Sequence, residues 1–318
     1  MNPSSVRIAI LDDYQGAALR VADWSAVQSR ADITVFQEHL AGEDAVAERL
    51  APFDAICVMR ERTPMTATLL ERLPRLKLIV STGARNASID LAAAEKQGIA
   101  IAHTGYFSSP TVELTWALIL ASMRNICAEA ASLQGGGWQR GLGEDLAGKT
   151  LGIIGLGNVG RDVAKVALAF GMKVIAWSQN LTAEAATASG AVLVSKDELL
   201  RTADIVSLHT VLSRRTIGII GAAELALMKP TAQLINTSRG RLVVEEALLE
   251  ALASGRIAGA AIDVYDVEPL PADHPYRRAD RLLATPHIGY VTRGLYQRFY
   301  QDAVGHFINW LDTAKSGA

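Results

Sequence analysis

The run TLGIIGLGNVGRDVAKVALAFG, residues 150–171, constrains this chain more than any other stretch. It joins an apolar strand to a helix-period segment through Gly155, Gly157 and Gly160 in G-x-G-x-x-G spacing. The first glycine allows a tight turn, the second lets backbone approach a diphosphate, and the third permits close packing of helix on strand. The diphosphate would sit over the helix N-terminus, where amide N–H groups lack intrahelical partners. Glycine spacing alone is a weak signal in a chain with 26 glycines. The strand before it and the unbroken helix after it point to a dinucleotide site rather than a plain turn.

Short apolar runs alternate with amphipathic stretches on both sides of this unit. VRIAILDD (6–13), DITVF (32–36), AICVM (55–59), LKLIVST (76–82) and IAIAHT (99–104) read as a first set of strands. EDAVAERLA, TATLLERL and SIDLAAAEKQG carry helical spacing between them. A second set runs through TLGIIGLG (150–157), KVIAWSQ (173–179), AVLVS (191–195), DIVSLHT (204–210), AQLINTS (232–238) and AGAAIDVY (258–265). Runs this short and apolar suit strands covered by helices on both faces. Strand–helix alternation twice over implies two open, mostly parallel sheets. Residues 109–134 keep helical spacing throughout and predict one long helix leading out of the first domain. Residues 293–314 predict an aromatic-rich helix that periodicity assigns to neither domain.

At 318 residues, half of them apolar, the chain is long enough for its core to divide in two. The net charge is −2 with both signs interspersed, which gives no basic face for nucleic acid. Cys57 and Cys127 lie in apolar runs and are expected as buried thiols, not a disulfide framework. The stretch MNPSSVRIAI has no apolar signal region, and no segment reaches the roughly 18 apolar residues of a membrane span. A cytoplasmic protein without nucleic-acid or membrane partners is the expectation. No H-E-x-x-H, no cysteine cluster and no G-x-S-x-G elbow occur, so neither a metal site nor a serine nucleophile is expected.

Ligands of a doubly wound sheet bind beyond the carboxyl ends of its strands. Arg239, Asp263, Glu268 and His287 all fall at such points. Arg239, before Gly240, is placed to present a bidentate guanidinium to a carboxylate, or else is a solvated turn arginine. Asp263 interrupts an apolar run, where a carboxylate needs a partner. Glu268 and His287 could meet across a turn. The carboxylate would then hold the ring in one tautomer and favour its protonated form, leaving the other nitrogen ready to give a proton. The bland alternative is a histidine bonded to a carbonyl at the Pro286 turn.

Taken together, these segments resemble the D-isomer-specific 2-hydroxyacid dehydrogenases over most of the chain, most densely from 146 to 290. DLAGKTLGIIGLGNVGRDVAKVALAFGMKVIAW is similar to the family's nucleotide-binding opening and LINTSRGRLVVEEALLEAL to its arginine segment. GAAIDVYDVEPLP and LLATPHIGY are similar to its acid and histidine segments. The resemblance implies an α/β fold of two doubly wound parallel-sheet domains with an active-site cleft between them. One is a flavodoxin-like substrate domain of residues 1–104 plus 290–318, the other a Rossmann dinucleotide domain of residues 105–289. It implies an oxidoreductase moving a hydride between NAD(P)H and a small 2-oxo or D-2-hydroxy acid, glyoxylate or hydroxypyruvate among them. A homodimer joined through the nucleotide domains is also implied.

By the same resemblance, Arg239 holds the 2-oxo acid, Glu268 and His287 are the acid–histidine couple, and Asp263 lies near the nicotinamide. STGARNASIDLAAAEKQGIAIAHTG resembles the segment whose amides near Gly83 and Ala84 receive the substrate carboxylate, and Arg60 adds a cation if it is not on the surface. The expected cofactor contacts are Gly155, Gly157, Asn158, Val159, Gly160, Ser178, Gln179, Asn180, His209, Thr210, Thr237 and Asp263. Several positions depart from the family pattern. Ser178 stands where a ribose-gripping Asp or Glu is usual, Val244 where Asp is common, and AHTGYFSSP and HTVLSRRT each lack a customary proline. Without a carboxylate at 178 a 2′-phosphate is not repelled, and without a nearby Arg or Lys it is not recruited. The cofactor is therefore NAD or NADP, with a slight lean to NAD. The rival reading is an NAD(H)-binding regulatory, co-repressor-like protein of the same fold.

Overall fold

The computed structural model describes residues 5–316. The chain folds as two compact units, one built from the chain up to Phe107 and again from Val291, the other from Ser108–Tyr290. The divisions fall at 107/108 and 290/291 rather than at 104/105 and 289/290. Local bonds explain the difference. Thr104 accepts the Gly83 N–H at 2.7 Å and the Gly105 N–H donates to Asp302 at 2.7 Å, which ties 104–107 to the first unit. Residues 1–4 and 317–318 of the expected substrate domain lie outside the described residues.

In the first unit five strands, β1 (Val6–Ile10), β2 (Ala31–Val35), β3 (Ala55–Val58), β4 (Leu78–Ser81) and β5 (Ala100–His103), pair in the order β2-β1-β3-β4-β5. Every pairing is parallel. This is the flavodoxin-like order. Ala9, Ile56, Val58 and Ile79 face a core shared with the helices Glu43–Leu50, Ala67–Glu71 and Leu91–Lys96. Their neighbours Ile8, Ile10, Cys57 and Val80 are equally buried, as the two-residue period of a strand requires when both faces are covered.

The helix Arg293–Ser316, which periodicity left unassigned, packs in this first unit. Leu295, Phe299, Tyr300, Phe307 and Leu311 are buried along one side of it. Trp24 meets Phe307 at 6.0 Å and Tyr300 at 6.3 Å between ring centroids, and its indole N–H donates to the Ala18 carbonyl at 2.9 Å.

The second unit holds β6 (Thr150–Ile154), β7 (Lys173–Trp177), β8 (Val192–Leu193), β9 (Ile205–Leu208), β10 (Gln233–Asn236), β11 (Gly259–Ile262) and β12 (Leu282–Ala284). They pair, all parallel, in the order β12-β11-β10-β9-β6-β7-β8, the Rossmann arrangement with its reversal at β6/β9. Alternate strand residues feed two cores. Ile154, Val206, Leu208, Leu234 and Ile262 join Leu199, Leu225 and Leu248 on one face. Ile153, Ile205, Ile235 and Ala261 join Trp116, Ile119, Val163 and Ala167 on the other.

Two expectations are corrected here. Residues 109–134 form two helices, Ser109–Met123 and Ile126–Gln134, because Asn125 takes a left-handed conformation (φ +53°) and ends the first. Asparagine tolerates that region better than other side chains, and no glycine or proline announces the break. The second helix buries none of its residues, so Cys127 is exposed while Cys57 is buried. Desolvation pushes the Cys57 thiol up to about 12, with the Asp13 charge adding to it.

Phe307 is fully buried, so Phe307→Ala should cost about 3–5 kcal/mol of stability. A urea titration followed by tryptophan fluorescence should show the first unit's transition at lower denaturant. An unchanged midpoint would mean that the last helix contributes no packing to that unit.

Candidate active site

The parallel strands of the second unit put all their carboxyl ends on one edge, and the glycine loop leaves β6 there. Gly155 sits at φ +101°, and a Cβ on it would lie 2.6 Å from the His209 carbonyl oxygen. A Cβ on Gly160 would overlap the Gly155 carbonyl oxygen. Around Gly157, by contrast, a Cβ would meet nothing within 4 Å. Two glycines are therefore demanded by packing within the chain, and the middle one borders open space. Gly157 caps the helix Asn158–Ala169 in extended geometry and offers no side chain to the first amides of that helix, those of Asn158 and Val159 among them. That cradle fits a dinucleotide diphosphate.

Beyond β7, Ser178 is half-buried, and Gln179 and Asn180 are exposed. The Ser178 carbonyl accepts the Leu181 N–H at 3.1 Å, and Thr182 caps the helix Ala183–Thr187. After β9 the His209 Nε2 lies 2.8 Å from the Ser207 hydroxyl. Burial pushes this imidazole down to about 4, so it is neutral at pH 7. Thr210 follows it, half-buried.

Arg239 leaves β10 in extended backbone (φ −148°) and is held by its own turn. Asn236 donates from Nδ2 to the Arg239 carbonyl at 2.8 Å, and Arg239 Nη1 donates to the Ser238 carbonyl at 2.8 Å. Gly240 lets the chain come against the backbone of Tyr265 and Asp266, where any Cβ would overlap the Tyr265 carbonyl group. This contact brings the arginine loop beside the glutamate loop, and the Arg239 charge is felt at Glu268.

Glu268 and His287 do meet. His287 Nδ1 lies 2.5 Å from Glu268 Oε2, and Glu268 Oε1 accepts the Tyr265 N–H at 2.9 Å. Burial pushes the Glu268 carboxyl up. The His287 hydrogen bond and charge, the Tyr265 amide and Arg239 outweigh it and hold the group below its ordinary value. Glu268 is thus a carboxylate at neutral pH. With Nδ1 turned to it, the network assigns the Nδ1 proton to that bond and leaves Nε2 as the nitrogen available for exchange. His287 itself sits at φ +51°, a region uncommon for a residue with a Cβ.

Two residues expected at the cofactor have hydrogen-bond partners inside the protein. Asp263 is only 1 % exposed. Its Oδ1 accepts the Thr285 hydroxyl at 2.6 Å and the Ile288 N–H at 2.9 Å, and its Oδ2 accepts the Gly289 N–H at 2.8 Å. A carboxylate buried this deeply takes the donors of the adjoining turn. Desolvation still raises its pKa, with those bonds and His287 opposing. Thr237, buried at the end of β10, pairs its hydroxyl with that of Thr115 at 2.8 Å. Thr115 in turn donates to the Thr111 carbonyl at 2.8 Å, which fastens the helix Ser109–Met123 to the strand end.

In the first unit the strand ends carry the other expected residues. Arg60 follows β3 at φ +53°, with its N–H donating to the Thr82 hydroxyl at 2.9 Å and its guanidinium 5.2 Å from the centre of the Tyr106 ring. Gly83 leaves the space this guanidinium occupies, since a Cβ there would overlap Arg60 Nη1. The Gly83 N–H, expected to receive a carboxylate, already donates to Thr104 Oγ1 at 2.7 Å. Gly83 contributes shape, and Ala84 is the exposed neighbour of the pair. Three of the four remaining histidine rings have structural partners: His39 with Asp12, His274 with Glu245, and His306 with the His103 carbonyl.

Sequence reasoning passed over Tyr265, Thr285 and Thr104, whose signal is weak because each acts through a contact remote in sequence. Among the described residues no group of three or more His, Cys, Asp and Glu could hold a metal ion, and no helix is long and apolar enough to cross a membrane.

Comparison with known proteins places this geometry in context. The profile described as D-isomer specific 2-hydroxyacid dehydrogenase, NAD binding domain, matches residues 116–289. A hydroxypyruvate reductase of Thermotoga maritima is 37% identical over 278 residues, covering 86% of this chain and 89% of that protein. A D-3-phosphoglycerate dehydrogenase of Methanocaldococcus jannaschii is 41% identical over 251 residues, 78% of this chain, but the match spans only 48% of that longer protein. The crystal structure of a phosphoglycerate oxidoreductase from Vibrio cholerae O395 superimposes with a TM-score of 0.91 at 36% identity, covering 97% of this chain and 99% of that one.

Two outcomes are expected from the nucleotide edge. Gly157→Val should leave the melting temperature near that of the wild type while abolishing NADH fluorescence enhancement. Gly160→Ala should lower the melting temperature, because its Cβ has no room. Equal effects from both would remove the distinction drawn between packing and ligand space. His209, near 4 when folded against about 6.5 unfolded, binds its proton only in the unfolded chain between those values. Stability should therefore fall as pH drops through that window, by up to about 3 kcal/mol. His209→Gln should flatten that part of a stability–pH curve measured by urea unfolding.

Proposed function

Because the chain belongs to the D-isomer-specific 2-hydroxyacid dehydrogenase family, we propose that it moves a hydride between NAD(P)H and C2 of a small 2-oxo acid. Glyoxylate and hydroxypyruvate are the substrates to try first, since reductases of both are among its relatives. The observation that carries the reading is the Glu268–His287 pair at 2.5 Å, on the same sheet edge as Arg239 and the glycine loop.

The hydride is the chemistry a bound nicotinamide supplies. The rest falls to side chains. Arg239 matches a planar carboxylate and oxo group and orients C2. His287, protonated on both nitrogens, gives the Nε2 proton to the oxygen as negative charge develops there, and a 2-hydroxy acid results. Glu268 stays ionised and balances the imidazolium until the proton leaves. In the oxidising direction neutral His287 takes that proton back. Arg60 and the Ala84 amide are the further contacts assigned to the substrate's acid group.

NAD(H) is the first cofactor to test, because residues 178–182 offer no Arg or Lys to a 2′-phosphate. Ser178 does not repel that phosphate either, so NADPH should also serve. A second copy of the chain is assigned to the helix Ile126–Gln134 and the loop after it, where Ile126, Leu133, Trp138 and Leu142 are 51%, 60%, 73% and 95% exposed.

Steady-state rates with each reduced cofactor on glyoxylate, hydroxypyruvate, pyruvate and phenylpyruvate test the proposal. NADH binding without turnover on any acid would instead support a regulatory nucleotide-binding protein. In an active preparation, His287→Ala should lower reductive kcat by about 10²–10⁴-fold while NADH still binds. Arg239→Ala should act mainly on KM.

A further inference from the structure

Asp263 and Tyr265 follow β11 two positions apart, just beyond its last residue, Ile262. Both reach the segment 285–289. The Asp263 carboxylate takes the Thr285 hydroxyl and the Ile288 and Gly289 amides. The Tyr265 hydroxyl donates to the Thr285 carbonyl at 2.7 Å, and the His287 N–H donates to that same carbonyl at 3.0 Å. Thr285 is gripped at its hydroxyl and its carbonyl, one on each residue. The Tyr265 N–H meanwhile holds Glu268 Oε1 at 2.9 Å. Tyr265 therefore touches the segment carrying His287 and the carboxylate that pairs with it, while its carbonyl abuts Gly240, next to Arg239.

We propose that Tyr265, acting with Asp263, is a positioning residue: a two-point clamp that keeps His287 in its left-handed conformation and its ring on Glu268. A non-glycine residue at φ +51° persists only where its surroundings over-determine it, and four hydrogen bonds onto 285–289 supply that constraint. Burial, with the charges of Asp263 and Glu268, pushes the Tyr265 phenol up to about 12. It stays a donor across the working range. The inference rests on His287 as the proton donor.

Tyr265→Phe keeps the ring and removes only the hydroxyl, so it should fold. In the full-length enzyme it should lower kcat about tenfold, as expected for a small misplacement of a reacting group, with KM changed less than about threefold. Selective ¹⁵N-histidine labelling reads the ring without turnover, with the His287 signals identified by their loss in His287→Gln. In Tyr265→Phe the His287 Nδ1 resonance should shift or broaden, and in Asp263→Asn more so. An unmoved resonance in Tyr265→Phe overturns the clamp whatever happens to the rate. A moved resonance with wild-type turnover leaves the clamp standing and removes the proton-donor reading of His287 instead.

Discussion

Every strand of the second sheet runs in the same direction, and the candidate site depends on that constraint. Parallel pairing gathers the loops after β6, β7, β9, β10, β11 and β12 on one edge, although they are spread over more than a hundred residues of chain. The glycine loop, Arg239, Glu268 and His287 share that edge without any being near another in sequence. Gly240 then narrows the spacing, because its missing side chain lets two of those loops touch backbone to backbone.

Within the cluster two carboxyl groups serve different ends, and their surroundings separate them. Asp263 is almost wholly buried, spends its oxygens on the donors of one turn, and has its proton affinity raised by desolvation. Glu268 keeps 27% of its side chain exposed, faces His287 and feels Arg239, and is held below its ordinary value. Environments that push two like groups apart in this way mark a division of labour. One orders the backbone, and the other carries charge next to the His287 ring.

The first unit shows the same economy at its strand ends. Arg60 occupies the volume a side chain at position 83 would need, and its guanidinium lies by the Tyr106 ring. The buried hydroxyls of Thr82 and Thr104 satisfy the backbone around it. Shape and hydrogen bonds within the chain thus fix the Arg60 side chain at these strand ends.

Much of this was legible in the residues alone. Alternating short apolar runs and helical stretches sufficed for two parallel sheets, because strands covered on both faces must be apolar and helices between them must be amphipathic. The spacing of Gly155, Gly157 and Gly160 sufficed for the nucleotide loop, since its geometry is local. The Arg239, Glu268 and His287 segments sufficed for family membership. Local pattern could not reveal where the helix at 109–134 would break, because Asn125 enters the left-handed region with no glycine or proline to announce it. Nor could it show that Asp263 and Thr237 turn inward, that the Gly83 amide is already spent on Thr104, or that Tyr265 reaches Thr285. Those are decided by which strand lies beside which, and by the rule that a buried polar atom takes the nearest partner the fold provides.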